Sequence, residues 1–514
     1  MTDESSFKAI TWAKELELFA QEAFAIPDWW RGSPRKTSEK VIHDPVWGSQ
    51  TWTDWQVAII DLPIVQRLRD IRQTSFAYLT YPGALHTRFD HSLGVAAAAK
   101  LFLSRMKATD PSIGLHEEGQ VVAAALLHDI GHGPFSHLTE ECYLYKPDWF
   151  LGILNSGEDT EPMFPRAAPH EALGALLLRT EAAKSFFRAL RAEYTVPNID
   201  PEIVGDIIAG NGWEDHDHLA AVVNGDIDAD KADYIRRDSH FTGLNIALDI
   251  NRLAHTLRVV SEDGVRQLAL HKSGEAVANQ FLFAKTTLTS SVYHHPKVRA
   301  ADTIYRSITE RAMEGGSDIN GRQIESPVAF LQLTDSDFTF RKFQSADEEC
   351  TRLVRRLHNR HLPYAALEVS ASTLKKGQHE SKLWNLRLSK NLWRNEAKVS
   401  EGRKISQQLV NETGSVANVS SVWIDFPYMV KLATLPLTDG VTLNATYASF
   451  PGETWADQYV KYLYRGNLYG PAEALDALAS AFESIASRDY DTVFNSNARQ
   501  TLSDYRAPAH ELDN

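Results

Sequence analysis

A seven-residue apolar run, Val121 to Leu127, stops on His128-Asp129, and the eight residues after it add His132, His137, Gly131 and Gly133. An all-apolar helix is a buried helix, so its end carries an imidazole and a carboxylate together into the interior. Glycines just beyond allow the backbone to turn tightly there. Two hard or borderline ligands facing one spot suit a cation, but a metal needs more than two. The candidates in the sequence are His91, heading a helical pattern opened by Thr87-Arg88-Phe89-Asp90, and one of the acids in the run Asp226 to Tyr234.

The surrounding pattern is helical. Apolar periodicity predicts helices over Leu62 to Ile71 (with Arg67, Arg69 and Arg72 on a basic face), His91 to Lys107, Glu117 to Ile130, His170 to Arg191, Pro201 to Ala209, Asp226 to Ser239 and Glu275 to Met313, after a weaker one from Trp12 to Phe24. Strand-like segments come late, at Tyr364 to Val369, Ser420 to Ile424 and Val441 to Tyr447. The fold expected is mainly α, a helical core with a smaller α+β C-terminal lobe. The divisions expected are an N-terminal extension over 1–39, a catalytic core over 40–345 and the lobe over 346–514. Asp148 to Pro169, rich in Gly and Pro, reads as a long inserted loop that could act as a lid. Lys375 to Lys404, with Trp384 and Trp393, reads as a solvated basic helix face, with nucleotide or nucleic-acid contact as the alternative.

The formal net charge of the 514-residue chain is −14, so its average field repels polyanions and disfavours a protein that coats nucleic acid. A local basic pocket for a small anion stays open. Two cysteines, Cys142 and Cys350, are too few for a disulfide framework. With an acidic first segment and no apolar run near the roughly 20 residues of a membrane span, the expectation is a cytoplasmic protein without membrane association.

Several motifs stand in one order along the chain: Lys40-Val41-Ile42-His43-Asp44-Pro45, Gln66-Arg67-Leu68-Arg69, Pro82-Gly83-Ala84, Arg88 to Val95, His128 to His137, and Asp230-Lys231-Ala232-Asp233-Tyr234. Together they resemble the HD superfamily of metal-dependent phosphohydrolases, and within it the deoxynucleoside triphosphate triphosphohydrolases, which include bacterial dGTPases and the animal enzymes that join a sterile alpha motif to an HD domain. The likeness runs over about residues 40–300.

The resemblance implies metal ligands His91, His128, Asp129 and Asp230, the last because it immediately precedes Lys231. It implies a general acid, His137, oriented by Glu140, with His170 as phosphate contact or proton relay. Arg88, Lys231 and Tyr234 would grip the triphosphate and His132 the α-phosphate. Gln73 and Asp238 would read the sugar 3′-hydroxyl, Tyr293 would exclude a 2′-hydroxyl, and His295 would approach the base; Lys285 stands where the family often has Arg. Lys40, Val41, Asp61, Gln66, Arg69 and Arg252 match activator-nucleotide positions, with His43 in place of the family's Asn.

The activity so implied is metal-dependent hydrolysis of a dNTP to deoxynucleoside and inorganic triphosphate, lowering dNTP pools. Its cofactor would be a divalent ion (Fe, Mn, Zn or Mg), with Mg accompanying the nucleotide. Its partners would be the dNTP, an activating GTP, dGTP or dNTP, and further copies of the chain, from dimer to tetramer or hexamer. The rivals are another HD-type nucleotide phosphatase or phosphodiesterase, and a non-catalytic nucleotide-sensing or nucleic-acid-binding protein.

Overall fold

A computed structural model describes residues 10–26, 39–154, 162–194, 197–213, 216–262, 264–315, 317–375, 396–414, 421–428, 434–439, 443–448 and 460–499. Trp384 and Trp393 lie outside these residues, as does most of the basic stretch around them.

The chain is mainly α, with a smaller α+β C-terminal lobe. At its centre the helix Leu115–Leu127 is buried along its whole second half, from Val121 to Leu127. Helix Arg88–Met106 packs against it and against helix Ala229–Thr242. The first of these starts with a capping box, Thr87 accepting from the Asp90 amide while Asp90 accepts from that of Thr87. The last is capped by Asp228, which accepts from the Lys231 amide at 2.7 Å. Close approach inside this trio depends on Gly94, where an added Cβ would lie 1.9 Å from Asp233 Oδ1 and 2.4 Å from Arg237 Nη2.

Several predicted helices are broken, each for a local reason. The Leu62 to Ile71 segment is a short helix, Pro63–Gln66, followed by a 3₁₀ turn, Arg67–Asp70. Its basic face is not all solvated, because Arg67 turns inward and donates to the carbonyls of His132 and Leu333, both at 2.8 Å. His170 to Arg191 splits into Pro169–Leu178 and Glu181–Glu193, with Thr180 capping the second. Glu275 to Met313 becomes Glu275–Leu288, a π turn at Thr289–Tyr293, and Pro296–Met313, where Pro296 cannot donate into a continuous ladder. The expected loop after Asp148 begins as a helix, Asp148–Leu154.

Strands also occur earlier than periodicity indicates. Lys40–Asp44 pairs with Gly48–Trp52 as an antiparallel hairpin, and Leu257–Glu262 with Val265–His271. The latter pair is extended by Thr434–Thr438 and Leu443–Ala448 into a four-stranded sheet. A second sheet, in the order Tyr364–Ser370, Arg465–Gly470, Trp423–Asp425, packs with helices Glu396–Thr413 and Leu475–Tyr490 over a separate apolar core that includes Leu367, Ile405, Leu468 and Phe482.

Between the two cores lies a buried ionic group. Arg299 holds Asp425 through Nε and Nη2, at 2.9 and 2.7 Å, and meets Glu141 and Asp302 with the rest of its guanidinium. Arg306 adds a second contact to Asp425 at 2.7 Å, and Ser75 Oγ donates to Asp302. Burial pushes the Asp302 carboxyl up to about 7, with Arg299 pulling against it and Glu141 adding to it. A carboxyl whose pKa is raised on folding contributes stability that is complete below its ordinary range and is lost as pH rises through the folded value. Wild type is therefore expected to lose stability between about pH 4 and 7 by up to about 1.4 kcal/mol per pH unit from this group. Asp302→Asn removes that slope. Urea midpoints measured across this range decide it, and equal slopes in the two proteins would refute it.

Candidate active site

Two clusters share the buried end of helix Leu115–Leu127. In the first, His91 Nε2 lies 2.9 Å from Asp230 Oδ1, 3.3 Å from His128 Nε2 and 3.7 Å from Asp129 Oδ2. His128 Nε2 is 3.3 Å from Asp129 Oδ1. Both histidines have their other nitrogen engaged: His128 Nδ1 donates to the Ala125 carbonyl at 2.9 Å, and His91 Nδ1 to Asp233 at 2.7 Å. That network assigns the tautomers and leaves the two Nε2 lone pairs facing one another beside two carboxylates. Such a donor set fits a divalent cation, and His91, His128 and Asp230 offer ligand atoms within 4.8 Å of one another.

Charge points the same way. Burial opposes ionisation of His91, yet hydrogen bonds to Asp230 and Asp233 and the charge of Asp129 push it up to about 10. Burial would raise Asp129, but Arg88, His128 and His132 hold it well below the usual carboxylate range. The spot is one that favours positive charge.

Asp233 and its supports were not singled out by the motifs. Its carboxylate takes Arg237 Nε at 2.8 Å and Trp47 Nε1 at 2.6 Å, and Arg237 continues to Asp44 at 2.9 Å. The signal available was spacing, since Asp233 lies one helical turn beyond Asp230 and Arg237 one turn beyond Asp233. Asp228 is fully buried and takes the Lys231 ammonium as well as its amide.

The second cluster gathers three imidazoles around one oxygen. Glu140 Oε1 is 2.7 Å from His137 Nδ1, 2.9 Å from His170 Nδ1 and 3.5 Å from His132 Nδ1. His132 and His170 stack with centroids 3.9 Å apart. Burial would raise Glu140, but the charges of His170 and His137 hold it well below the carboxylate range. Burial opposes a charge on His170, yet Glu140 pushes it up to about 9. Burial, Arg88 and His170 together push His132 well below the ordinary imidazole value, so it is neutral. Its Nε2 lies 3.2 Å from Asp129 Oδ1, linking the clusters, yet neither ring nitrogen is aligned for a hydrogen bond.

His137 differs from its neighbours in being 64% exposed. With Nδ1 turned to Glu140, its Nε2 is the nitrogen left for substrate. The turn before it is strained, with φ of 55° at Phe135 and 61° at Ser136, a region costly for residues with a Cβ. Asp335 accepts from the Phe135 amide at 2.7 Å, Ser136 Oγ donates to the Arg72 carbonyl at 2.6 Å, and Arg88 Nε donates to Ser136 at 2.8 Å. Gly131, expected to supply the turn, serves another purpose: an added Cβ would lie 2.0 Å from the His170 carbonyl oxygen.

Arg88 also reaches Asp129 through Nη1, at 2.9 and 3.1 Å, while its buried Nη2 has no partner among the described residues. Lys231 donates to the Gly225 carbonyl at 2.8 Å and to Asp228. Tyr234 follows one turn after Asp230 and is half-buried, and Lys285 is buried on its helix. Asp238 is held on both oxygens, by His86 Nε2 at 2.8 Å and by the Tyr293 hydroxyl. Gln73 joins this group through its amide, which donates to the His86 carbonyl, and its buried Oε1 has no partner. His295 caps helix Pro296–Met313, and its ring meets the edge of Tyr81.

Of the activator positions, Gln66 donates to the Ile60 carbonyl beside Asp61 and accepts from Arg69 Nε, both at 2.8 Å. Arg69 covers the face of Phe89 at 3.5 Å. Lys40 and Val41 lie on the first hairpin and Arg252 on helix Ile250–Thr256, exposed. No helix among the described residues is long and apolar enough to cross a membrane.

Residues 88–235 match the model of the HD domain, and residues 248–410 that of the HD associated region. The chain is 30% identical over 302 residues to an uncharacterized protein of Methanocaldococcus jannaschii, covering 58% of this chain and 56% of that protein. It is 28% identical over 317 residues to the uncharacterized protein YwfO of Bacillus subtilis, covering 61% and 64%. It is also 26% identical over 356 residues to a Dictyostelium discoideum protein named deoxynucleoside triphosphate triphosphohydrolase SAMHD1 homolog, covering 66% and 62%. In each case the match spans less than two-thirds of the relative's length. With its paired histidines and carboxylates at one buried helix end and both matching regions in sequence, the chain carries an HD domain followed by an HD-associated region.

Proposed function

We propose that this protein hydrolyses dNTPs to deoxynucleoside and inorganic triphosphate, with 40–345 as the catalytic unit. The observation that carries the reading is the union of three parts: a cation cluster, an imidazole–carboxylate cluster joined to it through Asp129 and His132, and the Arg88 and Lys231 cations beside both. A bare phosphomonoesterase has less need of that positive charge. His91, His128, Asp129 and Asp230 would hold the divalent ion, which when bound supplies Lewis acidity at the α-phosphoryl group.

The chain's own residues do the rest. Arg88 Nη2, Lys231 and Tyr234 bind the triphosphate oxygens, and neutral His132 contacts the α-phosphate. Water attacks the α-phosphorus, the bond to the 5′-oxygen breaks, and His137 in its imidazolium form gives its proton to the departing 5′-oxygen. Glu140 orients His137, and cationic His170 faces the developing charge. Gln73 and Asp238 receive the 3′-hydroxyl.

The test is to incubate metal-loaded protein with each dNTP, singly and mixed with GTP or dGTP, and identify products. Triphosphate is expected; release of monophosphate or orthophosphate instead would sink the reading in favour of another HD phosphatase. The mixtures matter because Asp61 and the bonded pair Gln66 and Arg69 are read as an activator site, and with it an oligomer of the chain. Tyr293 supplies a second prediction. A ring beside Asp238 leaves a 2′-hydroxyl without water or partner, so Tyr293→Ala should lower the preference for dNTP over NTP by about tenfold or more. Unchanged ratios of kcat/KM would remove its gating role.

A further inference from the structure

The helix that presents His137 and Glu140 runs only from His137 to Cys142, six residues. A helix so short draws its position from what it packs on rather than from its own ladder. Three of its side chains have partners on one neighbour, helix Pro296–Met313. Thr139 Oγ1 meets the Tyr305 hydroxyl at 2.8 Å, Cys142 Sγ accepts from Thr309 at 2.9 Å, and both Glu141 oxygens accept from Arg299, each at 3.1 Å.

Arg299 faces the other way as well. Its Nε and Nη2 form a two-point contact with Asp425 on the C-terminal strand Trp423–Asp425, and Arg306 reaches both Asp425, at 2.7 Å, and Glu141, at 3.5 Å. Arg299, Glu141 and Asp425 are buried and Arg306 is partly so. Removing one member of a buried group leaves the remainder uncompensated, and it rearranges toward the partners that remain. For Arg299 those partners are Asp302, on its own helix, and Glu141, the residue next to Glu140.

We propose that Asp425 is a positioning residue for the His137–Glu140 pair, acting through Arg299 and Glu141, so that the C-terminal lobe sets the geometry of the catalytic helix. This rests on the hydrolytic role proposed for that pair. A displacement of the helix moves the proton donor relative to the 5′-oxygen while leaving Lys231, Tyr234 and Asp238, on a separate helix, in place. Misplacement on the scale of 1 Å costs on the order of a hundredfold in rate.

Asp425→Asn should therefore lower kcat by about tenfold or more with KM changed less than about twofold. Glu141→Gln should do the same, and the double variant should be no slower than the slower single one, because both act on one guanidinium. Trp423→Phe is the control for docking alone, since it removes the Trp423 bond to Ser307 at 2.6 Å and shrinks the ring under Arg356 while leaving Asp425 in place; its kcat should stay within about twofold of wild type.

Hydrogen–deuterium exchange on the full-length protein supplies a readout that needs no turnover. In Asp425→Asn, exchange should rise in the peptide 137–142 and stay unchanged in helix Arg88–Met106. Equal loss of kcat in Trp423→Phe and Asp425→Asn, additive losses in the double variant, or unchanged exchange at 137–142 would each overturn the proposal. If wild type released no triphosphate, the functional reading would fail, and the exchange experiment would still decide the positioning.

Discussion

Asp129→Asn should release triphosphate at least about a thousandfold more slowly than wild type and carry no stoichiometric divalent metal after purification. A bound ion acting as Lewis acid is worth several kcal/mol in the transition state, and about 4 kcal/mol is a thousandfold. Asn is preferred to Ala for a physical reason. Arg88 is buried against Asp129, and deleting a buried partner outright costs about 3–5 kcal/mol in stability, which would confuse a lost metal with a lost fold. An amide keeps an acceptor for Arg88 while removing the anionic ligand. Metal content by elemental analysis, thermal midpoint and triphosphate release should be read on the same sample. Full metal occupancy together with wild-type turnover would remove Asp129 from the ligand set.

His137→Ala is expected to be nearly as damaging to turnover and harmless to metal content. General-acid catalysis by a positioned side chain is worth about 10²–10⁴ in rate. His137 is largely exposed, so its removal leaves no cavity and the fold should be unaffected. Glu140→Gln should fall in the same direction, and with a cost in stability that His137→Ala lacks, since His170 would be left cationic and buried with its anion gone. If His137→Ala retained wild-type turnover, the acid would be some other group. His170 would be the first to examine, given its place on the same carboxylate oxygen.

These two experiments probe the part of the molecule that was legible in the sequence. The set His91, His128, Asp129 and Asp230 is carried by the family resemblance, while the apolar run by itself puts only His128 and Asp129 at a buried helix end. The pairing of His137 with Glu140 rests on the same resemblance. Helix breaks were harder to read, because Thr180, Pro296 and the π turn at Thr289–Tyr293 interrupt apolar patterns that continue on both sides.

What the sequence concealed acts from a distance. Asp335 steadies the strained turn at Phe135 from 200 residues away, and Arg67 ties the His132 carbonyl to that of Leu333. On a one-dimensional reading Arg67 was another solvated basic residue on a helix face. Asp233, Arg237 and Asp44 form a chain whose last link spans 193 positions, and only its first two members share a helix. The same limit hid the ionic group around Arg299, since Glu141, Arg299 and Asp425 come from three separate segments.

Gly131 bears on how this architecture tolerates change. The backbone of the His128–Asp129 segment touches that of helix Pro169–Leu178 directly, with no side chain between, near the His170 carbonyl and the Gly174 amide. That seam, rather than the connecting chain, fixes where His170 stands. Closing a longer connection costs only slowly rising entropy, about 0.6 kcal/mol per doubling of length. A longer connection between the two segments would therefore cost little, whereas a single methyl group at Gly131 would push them apart.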